Sequence, residues 1–282
     1  MKPEDFTQKL IKTFLPKNLR RQAIHWHKFR KADYILVSYP KCGRTWLRVM
    51  LSHYYVERYG LVNGSLLDFA NLHYQNPAVP KIFMSHDALN EVLNRTRPPE
   101  VISNDKSAYF RRKVIYLARD PRDVVVSMYF QRSKRDTGYQ GSLLDFINDE
   151  IDGLNTIIRF YNAWAAALPK IDQSLLLKYE DMRADPGAIL VKLFEFMGHN
   201  PDPVMIRNAV DASSFERMKK MERNNEYNRS WLKAGDVKDE ESFKVRRGKI
   251  GGYTDYLEDD DITAINRLIN EQLAPDFGYQ SQ

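Results

Sequence analysis

Residues 34–51, Tyr-Ile-Leu-Val-Ser-Tyr-Pro-Lys-Cys-Gly-Arg-Thr-Trp-Leu-Arg-Val-Met-Leu, restrict the fold more than any other stretch of the chain. Residues 34–38 form an apolar run of strand length, and a helical pattern opens at Thr45. Between them lies Pro40-Lys41-Cys42-Gly43-Arg44-Thr45. So short a turn brings the free N–H groups of a helix's first turn, and the positive end of its dipole, to the end of a strand. That geometry cradles anions. Lys41 and Arg44 add side-chain cations and Thr45 a hydroxyl, so the stretch predicts a strand, a phosphate loop and a helix. A Walker A loop places its Lys after the last Gly, beside the Ser or Thr that holds magnesium. Here Lys41 precedes Gly43, which points away from a magnesium nucleoside triphosphate.

The alternation continues. Residues 81–85 are a second short apolar run with His86 at its end, and residues 87–93 read as helical, Asp87 suiting an N-cap or first-turn acid. Residues 114–118 are a third run, leading through Arg119 into a helix that reaches Gln131, with Pro121 in its first turn. Residues 175–178 are a fourth, ending at Tyr179-Glu180-Asp181. Further helices are expected over 143–168, over 186–197, from Ser213 or Ser214 through Phe215 and Met218, and over 260–273. Residues 61–80 and 133–142 read as loops, and 222–245 as a polar, mobile loop over the site. The segment Arg246-Arg247-Gly248-Lys249-Ile250-Gly251-Gly252 is basic and glycine-rich, and such a loop can turn successive N–H groups onto an anion. Strand–helix alternation predicts an α/β fold, its mostly parallel sheet covered on both faces, with ligands beyond the strands' carboxyl ends.

Composition narrows the class. A chain of 282 residues, 43% hydrophobic and 28% charged, suits one large globular domain or two small ones, with a substantial core. It holds no 18-residue apolar run, and residues 1–33 lack the apolar centre of a secretory signal. The only cysteine is Cys42, which excludes an internal disulfide and a Cys-based zinc site. A cytoplasmic enzyme is the expectation. The net charge of +6 suits an anionic cofactor better than nucleic acid, because the basic residues are dispersed and no nucleic-acid recognition motif occurs. Residues 1–33 mix Trp26 and Phe29 with Arg20, Arg21, Lys28, Arg30 and Lys31. Such a segment can touch an anionic membrane, and the favoured reading is a helix packed on its own domain.

Residues 39–46, Tyr-Pro-Lys-Cys-Gly-Arg-Thr-Trp, resemble the 5′-phosphosulfate loop of the cytosolic-type sulfotransferases, usually Tyr-Pro-Lys-Ser-Gly-Thr-Thr-Trp. Arg119 and Ser127 match, at the same eight-residue spacing, that family's 3′-phosphate pair. Arg246-Arg247-Gly248-x-x-Gly251 is similar to its C-terminal Arg-Lys-Gly-x-x-Gly loop, with Arg247 for Lys, and with Gly252-Tyr253 where Asp-Trp is usual. Ser213, Phe215 and Met218 resemble the segment that contacts adenine, Tyr179 resembles a tyrosine on the adenosine side, and Trp46 offers a stacking wall. The family's catalytic histidine stands in a Lys-Thr-His segment. Met84-Ser85-His86 keeps the histidine and lacks the lysine. Each residue alone has a plainer reading as an ion pair, cap or packed side chain; three motifs in family order favour a site.

The resemblance implies one sulfotransferase domain over residues 1–282, with 1–33 as a basic helical N-terminal segment. It implies a P-loop NTPase-like, three-layer α/β fold. The donor implied is 3′-phosphoadenosine 5′-phosphosulfate (PAPS), the product adenosine 3′,5′-bisphosphate (PAP), and no metal is required. Sulfuryl transfer resembles phosphoryl transfer, an acceptor oxygen attacking in line as a phosphate oxygen leaves. His86 would take the acceptor proton, Lys41 and the helix N-terminus would stabilise the leaving phosphate, and Thr45 and Arg44 would hold the phosphosulfate. A P-loop kinase, with Asp181 as its acid, is the alternative, and a nucleotide-binding regulator without turnover a third. The acceptor, whether small molecule, lipid or sugar, is not readable. Phe69, Tyr74, Phe83, Tyr109, Phe110 and Tyr139 could line an aromatic pocket or belong to the core.

Overall fold

The computed structural model describes residues 13, 16–62, 65–87, 102, 105–136, 138–228 and 232–280. At its centre are four parallel strands, β1 (Tyr34–Ser38), β2 (Ile82–Ser85), β3 (Lys113–Ala118) and β4 (Gln173–Lys178), in the order β2-β1-β3-β4. Every residue of β1 is buried, as expected of an inner strand covered on both faces. Val37 stands opposite Ser85 on one side and Tyr116 on the other. The carboxyl ends of all four strands therefore lie along one edge. The chain leaves β1 towards β2 and leaves β3 towards β4, so the connections diverge between β1 and β3. Open α/β sheets bind their ligands in the crevice at such a point.

Helices flank the sheet. They are α1 (Lys17–Lys31), α2 (Arg44–Tyr59), α3 (Pro121–Phe130), α4 (Leu143–Ile147), α5 (Leu154–Ala165), α6 (Tyr179–Ala184), α7 (Pro186–Phe196), α8 (Pro203–Ala212), α9 (Phe215–Arg223) and α10 (Asp259–Gln272). Their ends follow the local chemistry. Gly60 ends α2 in the left-handed region at φ 57°, and Asp120 caps α3 by accepting the Arg122 N–H, with Pro121 next to it. Aromatic side chains fill the core: Tyr116 of β3 lies 5.3 Å from Trp164 and 5.4 Å from Phe277, and Tyr54 of α2 lies 4.1 Å from Phe194 of α7. Phe69, Phe83 and Tyr109 belong to this core.

The elements differ from the sequence pattern in several places, and α6 and α8 are helices that the pattern does not predict. The expected helix over 143–168 divides into α4 and α5, because Asp149 Oδ1 accepts the N–H groups of Ile151 and Asp152 and turns the chain. Gly153 completes the turn; a Cβ there would meet the Asp149 carbonyl at 2.3 Å. Residues 131–135, which begin beside the expected loop, instead continue α3 as a π-helical turn, a feature frequent at functional sites. Of the helical stretch expected over 87–93, residues 88–93 lie outside the described residues. The Asp87 carboxylate accepts from Tyr109 and pairs with Lys106 at 2.6 Å. The end of α1 is held by Arg112, which donates to the carbonyls of Phe29 and Ala32, and Phe29 packs edge-on against Tyr109.

Candidate active site

The loop after β1 is built on left-handed backbone. Lys41 has φ 71° and Gly43 has φ 92°. A Cβ on Gly43 would meet Tyr179 Cδ2 at 2.6 Å, so both conformation and space require glycine. Gly43 caps α2 without a side-chain acceptor, which leaves the first-turn N–H groups available to an anion. Below the loop, Cys42 is buried with its Sγ 3.5 Å from the Tyr161 hydroxyl, and burial pushes the thiol up to about 12. Its side chain supports the loop and does not face the cavity.

Above the strand ends lies a cavity of about 380 Å³. Its wall brings together Lys41, Gly43, Arg44, Thr45 and Trp46 from the loop after β1 and the start of α2, His86 just after β2, Arg119 just after β3, Ser127 from α3, Tyr179 from the start of α6, Phe215 and Met218 from α9, and Arg246, Arg247 and Gly248. Ser213 is not on that wall. Its hydroxyl donates to the Ala209 carbonyl, and its own carbonyl accepts the Trp46 indole N–H at 2.8 Å. Tyr74 and Tyr139, like the core aromatics named above, do not line this cavity.

His86 is held by two contacts. Its Nδ1 lies 2.7 Å from the Ser38 carbonyl, which can only accept, so Nδ1 carries the proton and Nε2 is the bare nitrogen. Arg44 Nη2 donates to Nε2 at 2.6 Å. Burial, and then the Arg44 charge, hold the His86 pKa well below the usual histidine value, which keeps the ring neutral. Met84 stands where the family places a lysine, and its thioether accepts from Arg48 Nε at 3.0 Å and Nη2 at 2.9 Å.

Arg119 stacks over Tyr179, its guanidinium carbon 4.3 Å from the ring centroid, and donates to the carbonyls of Lys41 and Lys249. Its Nε is buried without a hydrogen-bond partner. Asp123 accepts the N–H groups of Gly251 and Tyr253 and so pins the glycine-rich loop to α3. That loop lies against Phe215: Gly248 has φ 62°, and a Cβ there would meet the ring at 3.0 Å. Arg246 is paired with Glu241 and lies over Phe130, and Arg247 is paired with Asp255.

The cavity also contains groups that sequence reasoning did not select. Gln131, Arg132 and Arg135 enter from the π-helical turn, Arg183 from α6 and Lys244 from the segment after α9. Glu222 ties Arg135 to the segment that carries Lys244. It is fully buried, pairs with Arg135 at 2.8 Å, and accepts the backbone N–H groups of Lys244 and Val245. Lys41 Nζ donates to Gln131 Oε1 at 3.1 Å. Burial and neighbouring cations lower Lys41 well below the usual lysine value, Lys244 to about 7 and Arg44 to about 9. The cavity therefore concentrates positive charge in a desolvated space, the condition an anionic ligand relieves.

A strand-end loop of left-handed backbone, with cations from the segments after β1, β3 and β4, has the form of an anion-binding transferase site on an open parallel sheet. Residues 31–276 match the sulfotransferase domain family model, and the chain belongs to that family. Sulfuryl transfer is its reaction. Among relatives, the chain is 30% identical over 277 residues to cytosolic sulfotransferase 17 of Arabidopsis thaliana, covering 88% of this chain and 77% of that protein. It is 26% identical over 266 residues to the flavonol 3-sulfotransferase of Flaveria bidentis, covering 86% and 81%. The fold is similar to that of retinol dehydratase, solved with retinol and PAP, at a TM-score of 0.60 and 19% identity, covering 86% and 81%. It is likewise similar to a mouse sulfotransferase complexed with PAP, at 0.56 and 22%, covering 86% and 85%. Among the described residues no helix is long and apolar enough to cross a membrane.

Proposed function

We propose that this sulfotransferase uses PAPS as donor and a hydroxyl or amine of a small molecule as acceptor, in the cytoplasm, with His86 as general base. One observation carries the reading: a neutral imidazole with its proton on Nδ1 faces a cavity whose other polar walls are mostly cationic. Lys41, Thr45 and the N–H groups of α2 take the 5′-phosphate, and Arg44 the sulfuryl oxygens. Arg119, Ser127, Arg246 and Arg247 take the 3′-phosphate, and Trp46, Tyr179, Phe215 and Met218 supply apolar and aromatic wall for the adenosine.

In this scheme Arg44 turns from His86 Nε2 to the sulfuryl group, which exposes the nitrogen lone pair. The acceptor oxygen attacks sulfur, its proton passes to Nε2, and the bond from sulfur to the 5′-phosphate oxygen breaks. PAP leaves with the charge that Lys41 stabilises. The fit of the site to two separated phosphates supports this reading over a kinase. Asp181, the candidate acid of a kinase site, is exposed and is not on the cavity wall. Transfer of label from radioactive PAPS across a panel of phenols, alcohols and amines tests the proposal. Labelled product without added metal is expected, and turnover with magnesium ATP alone would refute it.

A further inference from the structure

This inference rests on the sulfuryl-transfer reading of the same site. Around His86 the charges do not balance. Among the described residues, Lys41 hydrogen-bonds only to the neutral Gln131 amide, and Arg44 donates to the imidazole while its Nη1 is buried with no partner. Lys244 forms no ion pair there either, and Glu222, the carboxylate whose charge it feels, is engaged with Arg135 and two backbone N–H groups. At the opposite end, Arg119, Arg246 and Arg247 each have a carboxylate: Asp123, Glu241 and Asp255.

The 5′ end of the donor carries one negative charge on its phosphate and one on its sulfate. Lys41 and Arg44 match those two. Lys244 is left over, and it comes from the segment after α9, away from the strand ends. An ammonium so placed and unmatched is costly. Its lowering to about 7 agrees with the geometry, and a bound anion would restore its full charge.

We infer that the acceptor is itself anionic: a hydroxylated small molecule whose carboxylate, or a group of like charge, is held by Lys244 while its hydroxyl lies against His86. The anion answers the unmatched Lys244 ammonium, and the donation of Arg135 Nη1 to Glu222 and to the Ser242 carbonyl stays intact.

The test is calorimetric titration of the PAP complex with three probes that differ only in their terminal group: 4-hydroxyphenylacetate, 4-hydroxyphenylacetamide and tyramine. The anion should bind about tenfold or more tightly than the amide, and tyramine most weakly. Lys244→Met should bring the anion and amide within about threefold of each other, and Lys244→Glu should reverse the order in favour of tyramine. Equal affinities for the three probes in the wild type would overturn the inference. So would an anion preference that survives Lys244→Met, because the donor cations would then be holding it. Failure of PAP itself to bind would instead sink the sulfotransferase site assignment, so the two failures are distinct.

Discussion

At the scale of single residues, the site depends on which nitrogen of His86 holds the proton. The Ser38 carbonyl fixes it on Nδ1, and Arg44 covers the lone pair that the chemistry needs. His86→Ala should lower kcat by ~10²–10⁴-fold, the usual worth of a positioned base, and leave the affinity for PAP nearly unchanged. Single-turnover rates and titration of the variant check both parts. Because burial and Arg44 depress the His86 pKa, the active neutral ring persists as pH falls through the ordinary histidine range. The acid limb of kcat/KM should therefore lie below pH ~6.5, and Arg44→Thr should move it upwards by removing the opposing charge. A limb that Arg44→Thr does not move would assign it to another group.

At the scale of elements, the loop and the segment after α9 are the parts to perturb. Gly43→Ala combines φ 92° with a contact of 2.6 Å to Tyr179, so it should cost more than about 1 kcal/mol and weaken PAP binding, read by denaturant titration and calorimetry. Glu222→Gln leaves Arg135 unpaired in a buried, cationic wall and should destabilise by about 3–5 kcal/mol; a change under 1 kcal/mol, measured by chemical denaturation, would show that the pair is solvated. The strands were legible in the sequence because inner parallel strands are short unbroken apolar runs. His86, Arg119 and Tyr179 were legible because they directly follow such runs. The division of α4 from α5 was not, because a side-chain turn at Asp149 overrides a good helical pattern. Arg135, Glu222 and Lys244 were hidden for another reason. Their roles arise from contacts 87 and 22 residues apart in the chain, and each alone looks like a solvated charge.

At the scale of the whole molecule, the fold assembles charge that it cannot neutralise internally. The folded protein holds Lys244 near 7, against 10.5 when exposed, so between those values the unfolded chain binds more protons and stability should rise with pH. His86, also lowered, works in the same direction, removing stability as pH falls below the ordinary histidine value. Thermal unfolding of the ligand-free protein from about pH 6 to 9 should show that rise, and saturation with PAP and 4-hydroxyphenylacetate should flatten it. A ligand-free curve that is already flat would mean that the cavity cations are hydrated. The central claim is that the crevice between β1 and β3 reads two separated phosphates. Its most direct measurement is a titration without magnesium of PAP against adenosine 5′-monophosphate, in the wild type and in Arg119→Ala. PAP should bind more tightly by about tenfold or more, and Arg119→Ala should remove most of that margin while barely changing the monophosphate. Equal binding of the two nucleotides, or a margin untouched by Arg119→Ala, would contradict the account.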